Sequence, residues 1–293
     1  MTLEQLRIFL EVAERQHVTR AAEVLNLTQS SVSAAIAAFE ARHAVRLFNR
    51  VGRGIELTEA GRLFLPEARK LLDQAAVAAR LLADLSGTAS GSLRIHASQT
   101  VASYWLPQRL MRYHAEYAQV DLGLTVGNTH SAAEAVLAGR AELAVVEGDV
   151  DLDALTVTRV GEDQLVLVVG GRHAWADGRS LSAADCLETS WIQREPGSGT
   201  RAAFETEIRR LGLQPDELQV VLELPSNEAV IAAVEAGESA AVLSSRAVEA
   251  HVAQGRLRAA ALPMPNRPFF LLRHSERHVT RAMRAMIDVL GEG

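Results

Sequence analysis

The sequence is poor in residues that build several common kinds of site. Its 293 residues include one cysteine, Cys186, which excludes an internal disulfide and a multi-cysteine metal site and is typical of a reducing cytoplasm. No apolar run approaches the roughly 18 residues of a membrane-spanning helix. The start of the chain, MTLEQLRIFLEVAERQ, is too acidic for a signal peptide. We therefore expect a cytoplasmic protein without membrane contact.

Positive charge is scarce, and almost all of it is arginine. Lys70 is the only lysine, and the net charge is −6. Residues 1–60 hold seven arginines and seven acidic residues, so the rest of the chain carries all of the negative charge. Such a chain is a poor indiscriminate binder of nucleic acid. Contacts with phosphate must come mostly from arginine, which can donate two hydrogen bonds to one anion.

The motifs of several enzyme and metal-site classes are absent from the sequence. It has no Gly-rich phosphate loop ending in Lys-Ser/Thr and no HExxH. The nine histidines are scattered without metal-ligand spacing, and Cys186 has no evident base beside it. We therefore predict no catalytic residue, no metal and no cofactor.

The first 58 residues have the pattern of three helices followed by a hairpin. Residues 3–15 place apolar side chains on one helical face, TRAAEVLN fits a short helix capped by Thr19, and Asn26-Leu27 fits a tight turn. Thr28 then caps a third helix, QSSVSAAIAAFEARH, and VRLFNRVGRGIELT alternates like two short strands. This order is that of a winged helix-turn-helix.

In such proteins the start of the second motif helix enters the major groove of DNA. Small polar residues there allow close approach, glutamine can read adenine, and arginines on the wing can reach phosphate or the minor groove. The predicted DNA-binding residues are Thr28, Gln29, Ser30, Ser31, Ser33, Arg50 and Arg53. The alternative is an ordinary three-helix bundle with a hairpin and no role in DNA binding.

From Thr58 to Leu85 the sequence predicts a long helix. Apolar residues recur at spacings of four and three, which is the pattern of helices that pack side by side. The predicted dimer contact consists of Phe64, Ala68, Leu71, Ala75, Ala78 and Leu82. The alternative is a helix that lies on a globular core. The stretch SGTASG, 86–91, follows as a flexible joint.

Strand and helix patterns alternate after the joint. Predicted strands include SLRIHAS, DLGLTVGN, ELAVVEG, QLVLVVG, SWIQRE, QVVLEL, AAVLSS and FFLLRH, with helices between most of them. This alternation predicts an α/β fold with a doubly wound sheet in two similar lobes. Ligands of open α/β sheets bind beyond the carboxyl ends of the strands.

The strand ends carry small and polar residues that suit a ligand site. The candidates are Ser98, Thr100, Asn128, Thr129, Glu147, Arg194, Ser198, Gly199, Thr200 and Asn227. Each is alternatively a plain helix cap. In REPGSGTR, 194–201, hydroxyls and backbone N–H groups at the start of a helix suit an oxyanion. The Glu147 carboxylate would repel an anion unless it pairs with Arg194 or Arg201, or faces an amine on the ligand.

The whole sequence closely resembles the LysR-type transcriptional regulators. The most specific stretch runs from FLEVAERQHVTRAAEVLNLTQSSVSAAIAAFEARHAVRLFNR to VGRGIELTEAG. The resemblance implies a winged helix-turn-helix at residues 1–58, a dimerising linker helix and hinge at 59–91, and an effector-binding domain at 92–293. The last would resemble periplasmic binding proteins, with lobe I at 92–161 plus 265–293 and lobe II at 162–264.

The resemblance also implies partners. They are double-stranded promoter DNA, a small-molecule inducer in the cleft, and a homodimer that assembles into a homotetramer. IHASQTVASYWLP, REPGSGTR and ELPSNEAVIAAVEAG look most like the subgroup that responds to sulfur-containing or other small anions, which includes regulators of cysteine biosynthesis, sulfite response and carbon fixation. The rival interpretations are a solute-binding protein and an enzyme that uses the same cleft for a small anion.

Overall fold

A computed structural model describes residues 1–51, 54–85, 91–148, 150 and 152–291. Two predicted features lie outside them, Arg53 of the hairpin and residues 86–90 of the joint. The chain forms two compact units, Met1–Leu82 and Ala83–Gly293. The domain boundaries given above, which differ from this division, stay predictions.

The first unit has the predicted order of elements. They are α1 (Leu3–Arg15), α2 (Val18–Leu25), α3 (Gln29–His43), β1 (Phe48–Val51), β2 (Gly54–Leu57) and α4 (Glu59–Leu85). The Thr28 hydroxyl caps α3 by accepting a hydrogen bond from the Ser31 N–H at 3.1 Å. The prediction that Thr19 caps α2 is wrong. The ring Nδ1 of His17 accepts from the Arg20 N–H at 3.4 Å, so α2 begins at Val18.

Aromatic packing holds the hairpin and the start of α4 against α1. The Phe9 ring is fully buried, and its centroid lies 5.3 Å from that of Phe48 and 5.1 Å from that of Phe64. Such pairs add to the free energy gained by burying apolar area. Glu40 of α3 fixes the approach to β1, because its carboxylate accepts the backbone N–H groups of Leu47 at 2.6 Å and Phe48 at 3.0 Å.

The second unit alternates strands and helices. Its strands are β3 (Gly91–Ser98), β4 (Val120–Gly127), β5 (Leu143–Glu147), β6 (Leu155–Gly170), β7 (Ser190–Arg194), β8 (Gln219–Leu224), β9 (Ala240–Ser244), β10 (Leu257–Ala259) and β11 (Asn266–His274). Its helices are α5 (Gln99–Tyr104), α6 (Leu106–Glu116), α7 (Thr129–Ala138), α8 (Gly199–Arg210), α9 (Asn227–Ala236), α10 (Ser245–Ala253) and α11 (Arg281–Gly291). None of the described helices is long and apolar enough to span a membrane.

Within the described residues, nine strands form one mixed sheet. The order is β4-β3-β5-β11-β6-β9-β7-β8, with β10 paired to β6. β3 is parallel to β4 and β5, and β7 is parallel to β8 and β9. Between these groups, the whole of β11 pairs antiparallel with residues 155–164 of β6. They are the crossover strands that join the two lobes.

Each lobe has an apolar core of its own. In lobe I, Trp105 packs against Phe269 with ring centroids 5.4 Å apart. In lobe II, the core includes Trp191, Phe204 and the buried Cys186, whose carbonyl accepts the indole N–H of Trp191 at 2.9 Å. The parallel strands of both lobes end near the crossover strands, where the polar strand ends meet.

Candidate functional site

The start of α3 presents a set of exposed polar side chains. The Thr28 hydroxyl lies 3.0 Å from that of Ser30 and 2.7 Å from that of Ser31. The Gln29 amide donates to the Ser33 hydroxyl at 3.1 Å. Since Val32 of the same turn is fully buried, the helix is fixed while its polar side stays exposed. All five predicted residues of α3 and its cap therefore lie together at one end of the helix.

A groove of about 720 Å³ separates α3 from the hairpin. Of the predicted residues, Gln29, Ser33 and Arg50 line it. So do His17 and Thr19 at the start of α2, and Arg46 and Asn49 near the hairpin. None of these four was predicted from the sequence to contact DNA, and Thr19 was predicted only as a helix cap. The order of helices and hairpin in the sequence predicts the motif, but it does not predict how close the first turn of α2 lies to the hairpin.

The predicted dimer contact on α4 does not form a single exposed surface. Phe64 packs inside the first unit against Phe39, with ring centroids 5.8 Å apart, and Ala68 is fully buried. Leu71 and Leu82 are 43% and 70% exposed, and Ala78 between them is exposed as well. The first turns of α4 thus fit the alternative of a helix on a core, and only the later turns leave apolar residues for a second chain.

In the second unit, the predicted ligand residues come together from five strand ends. Ser98, Thr100, Glu147, Thr200 and Asn227 are each at most 1% exposed. Thr129, Arg194, Ser198 and Gly199 are also buried, and Asn128 is half-buried. Polar groups buried this deeply need hydrogen-bond partners, because a lost hydrogen bond in a dry interior is costly.

Glu147, at the end of β5, lies at the centre of this cluster. Its carboxylate accepts the Ser98 hydroxyl from lobe I and, at 3.5 Å, the Thr200 hydroxyl from lobe II. The Thr129 hydroxyl donates to the Glu147 carbonyl oxygen at 2.7 Å. A single carboxylate therefore contacts hydroxyls of both lobes.

The cation beside Glu147 is Arg267, a residue of β11 that the sequence analysis missed. Its Nη1 lies 3.6 Å from Glu147 Oε1 and donates to the Thr200 hydroxyl at 2.8 Å. The expectation that Glu147 pairs with Arg194 or Arg201 is therefore wrong. Both of those arginines are engaged by nearer carboxylates, Arg194 by Glu195 and Arg201 by Glu205, each at 2.8 Å.

Arg267 is shared with a second buried carboxylate, Asp163 of β6. Its Nε and Nη2 donate to Asp163 Oδ2 at 3.1 and 2.8 Å, and Ser244 of β9 donates to Oδ1 at 2.8 Å. Asp163 and Arg267 are each 3% exposed. Two buried carboxylates thus face one buried guanidinium, and the nearest other cation is the half-exposed Arg246, 3.7 Å from Asp163.

Arg194 joins the lobes on the other side of the cleft. Its Nη1 donates to Asn227 Oδ1 at 2.8 Å and to Gln99 Oε1 at 3.3 Å. The Asn227 amide in turn donates to the Thr100 hydroxyl at 3.1 Å. Gln99 is a second residue that the sequence analysis missed, since nothing in its surroundings distinguishes it from other residues at a helix start.

The lobes also approach each other through backbone. A Cβ atom at Gly199 would overlap the Glu147 carbonyl oxygen, so only glycine fits at the start of α8. Gly148, at φ +88°, faces it from lobe I in a conformation that favours glycine. Beside this contact lies a cavity of about 500 Å³, lined from lobe I by α7, the end of β5 and the chain after it, and from lobe II by residues 196–199, Arg201, Ala202 and Glu205.

Among the described residues, no group of histidine, cysteine, aspartate or glutamate side chains is arranged to hold a metal ion. Cys186 is buried, and burial raises the pKa of its thiol to about 11. In the lobe II core this thiol packs among apolar side chains.

Comparison with known proteins matches the chain to one family over nearly all its length. Residues 3–62 match the family described as "Bacterial regulatory helix-turn-helix protein, lysR family", and residues 86–293 match "LysR substrate binding domain". The chain is 33% identical over 290 residues to the uncharacterized HTH-type transcriptional regulator YeiE of Escherichia coli K12, covering 98% of this chain and 96% of that one.

Two further likenesses agree with these matches. The chain is 33% identical over 254 residues to a probable RuBisCO transcriptional regulator of Phaeodactylum tricornutum, covering 86% and 83% of the two chains. Its fold is similar to that of full-length CbnR solved with its target DNA, with a TM-score of 0.73, 21% identity and coverage of 100% and 99%. The family and the named relatives are transcriptional regulators and not enzymes, and this chain belongs to the LysR family of bacterial transcriptional regulators.

Proposed function

We propose that this regulator binds promoter DNA through α3 and the hairpin, and senses a small metabolite with an acidic group between its two lobes. The observation that carries the proposal is the buried polar cluster around Glu147, to which both lobes contribute. A cluster of this kind links lobe closure to whatever occupies the cleft. A ligand shifts the conformational equilibrium only as far as it binds one state better than the other.

The proposed DNA contacts are those of α3 and β1. Thr28, Gln29, Ser30, Ser31 and Ser33 are grouped at the start of α3, and Arg50 lies across the groove from them. Small hydroxyls allow the helix to approach the base edges, and a guanidinium on the hairpin suits phosphate. Arg53 is proposed from the sequence alone.

Two variants separate these roles. Arg50→Ala is expected to weaken binding to specific and random duplexes alike, and to reduce the slope of log affinity against log salt by about one. Gln29→Ala is expected to cost about 1–3 kcal/mol at one base position only. Competition binding with an operator and its single-base variants measures both. Wild-type behaviour of both variants would refute this assignment.

The ligand proposal starts from donors at the start of α8. Ser198 caps this helix, and Gly199 and Thr200 form its first turn, so backbone N–H groups at the start of α8 adjoin the cavity that Ser198 and Gly199 line. Glu147 limits which anions fit, because its charge is only partly balanced by an arginine shared with Asp163. A ligand that touches Glu147 must therefore donate a hydrogen bond, as an amine does. A sulfur-containing or other small acid of this kind is the proposed inducer.

The test is calorimetry of the full-length protein with sulfate, sulfite, phosphate, thiosulfate and O-acetylserine. Loss of one hydroxyl from a charge-assisted bond is expected to cost about 1.5–3 kcal/mol, or about tenfold to a hundredfold in affinity. Thr100→Val and Thr200→Val are the variants, and Thr206→Val, exposed on α8, is the control. The proposal fails if no compound binds the wild type, or if all variants bind equally well.

We also propose that the later turns of α4 pair with those of a second chain, and that the dimers assemble into a tetramer on DNA. Leu71, Ala78 and Leu82 support the first step, since they leave apolar side chains exposed at heptad spacing along the later turns of α4.

A further inference from the structure

The cavity beside Gly199 is larger and less polar than an inorganic oxyanion needs. Its volume is about 500 Å³. An oxyanion of about five heavy atoms, at the roughly 30 Å³ that one water takes up in the liquid, fills about 150 Å³. Cavities of several hundred Å³ are typical of sites for organic metabolites.

Apolar side chains from both lobes line this cavity. Ala133, Val150 and Leu152 contribute from lobe I, and Pro196 and Ala202 contribute from lobe II. Leu152 is 42% exposed, which is a large exposed fraction for a leucine beside a polar cluster. A hydrocarbon chain laid between these residues would cover apolar surface on both sides of the cleft.

The charged groups that line the cavity are already paired with nearby side chains, including His130, whose Nε2 lies 3.3 Å from Glu134 Oε1. Arg201 donates to Glu205 at 2.8 Å and to Glu223 at 2.5 Å. The Glu147 carboxylate is only 2% exposed and is directed at Ser98, Thr200 and Arg267. What the cavity offers a ligand is therefore mainly apolar wall, with the polar start of α8 at one end.

We infer that this cavity takes the hydrocarbon part of the inducer, so that the inducer is an organic compound with a polar head and a chain of several carbons. This inference rests on the proposed function, because it assumes that the inducer occupies the cleft. The head lies at Ser198 and the start of α8, and the chain extends between Leu152 and Ala202.

Two homologous series test the inference on the full-length protein. They are n-alkanesulfonates and n-alkylamines, each from one to six carbons, so that chain length is varied for both signs of head charge. Burial of each added methylene is expected to raise affinity about fourfold until the cavity is filled. Isothermal titration calorimetry measures the affinities.

Variants show where the chain binds. Ala202→Phe fills the cavity from an exposed position of α8, so the rise with chain length is expected to disappear. Leu152→Ser removes apolar wall from lobe I and is expected to reduce the rise. Thr206→Phe, one turn further along α8 and outside the cavity, is the matched control and is expected to keep it.

The outcomes separate this inference from the proposed function. The inference is supported if affinity increases with chain length in Thr206→Phe but not in Ala202→Phe. If members of the metabolite panel bind but affinity does not depend on chain length, the inference is overturned and the proposed function stands. A rise that persists in Ala202→Phe also overturns it, since the chains then bind elsewhere. If neither the panel nor either series binds, the inference and the proposed ligand class both fail.

Discussion

Arg267 shows how a buried cation can be present in a cleft without being free to bind a ligand. It donates to Asp163 through two nitrogens and to Thr200 through the third, and it lies 3.6 Å from Glu147. Two antiparallel crossover strands contribute the pair, so the guanidinium ties together the segments that join the lobes. Its role is to position Glu147 and Asp163.

Arg267→Met is expected to lower the free energy of unfolding by about 3–5 kcal/mol, because it leaves two carboxylates buried beside an apolar side chain. Urea denaturation of the full-length protein measures this. Arg159→Met is the control, since Arg159 pairs with Glu162 across 2.7 Å while both are about 60% exposed, and a pair of that kind is worth about 0–1 kcal/mol. Equal losses in the two variants would contradict a structural role for the buried network.

Residue patterns predicted the strand ends well and the crossover residues poorly. Ser98, Thr129, Glu147 and Asn227 each follow an apolar run, so their position at one edge of a parallel group follows from the fold class. Asp163 and Arg267 are far apart in sequence, and each lies in a strand whose flanking residues are mostly charged or exposed. Their contact depends on the register of β6 against β11, which no local spacing encodes.

Helix α4 is an element with two environments along its length. Its first turns bury Phe64 and Ala68 in the core of the first unit, whereas Leu71, Ala78 and Leu82 are exposed. The periodicity of four and three is the same in both parts, because an apolar stripe has the same spacing whether its own chain or a second chain covers it. Only the packing distinguishes them.

Leu82→Arg is expected to shift the protein from dimer to monomer and to weaken operator binding. A charge placed in an apolar contact must be desolvated without a partner, which is costly. Light scattering measures the mass, and a gel-shift titration measures the operator affinity. Ala76→Arg, on another side of α4, is the control. An unchanged mass for Leu82→Arg would exclude this part of α4 from the interface.

For other elements, local sequence failed for identifiable reasons. The stretch SYWLPQRLMRYHAEY has the pattern of a single helix, whereas the structure has α5 and α6 there. The break occurs because Pro107 lies in the first turn of α6, and proline has no N–H to continue the preceding helix. The first half of β6, LTVTRVGED, was not predicted because its residues alternate irregularly between exposed and buried. A crossover strand has different neighbours in each lobe, so no single period describes it.

On the scale of the whole second unit, hydrogen bonds between α5 and α9 join the lobes. Glu228 of α9 accepts the Gln99 amide at 2.6 Å and the Tyr104 hydroxyl at 2.8 Å, both from α5. Burial alone would raise the pKa of Glu228, but hydrogen bonds from its own N–H, Tyr104 and Gln99 lower it overall. The pKa of Tyr104 is raised mainly by burial of its hydroxyl and, to a smaller extent, by the hydrogen bond to Glu228.

The contribution of Glu228 to stability should therefore depend on pH. Because its pKa in the folded state lies below the ordinary 4.5, its stabilising effect is complete above that value and is lost as the pH falls through the folded pKa. Glu228→Gln is expected to be less stable than the wild type at pH 7, with the difference shrinking as the pH falls below 4.5. Thermal unfolding from pH 7 to pH 3 measures this. A stability difference between Glu228→Gln and the wild type that is constant with pH would rule out the carboxylate as its source. Glu249→Gln is the control.

The single cysteine limits the kinds of signal that the regulator can receive. A thiol responds to peroxide as its thiolate, and at neutral pH a group with a pKa of about 11 is almost entirely protonated. Cys186 is also inaccessible in the lobe II core, and the chain has no second cysteine with which to form a disulfide. Reducing or oxidising conditions should therefore leave its DNA binding unchanged, so the purified protein can be handled without reductant and labelled at introduced surface cysteines.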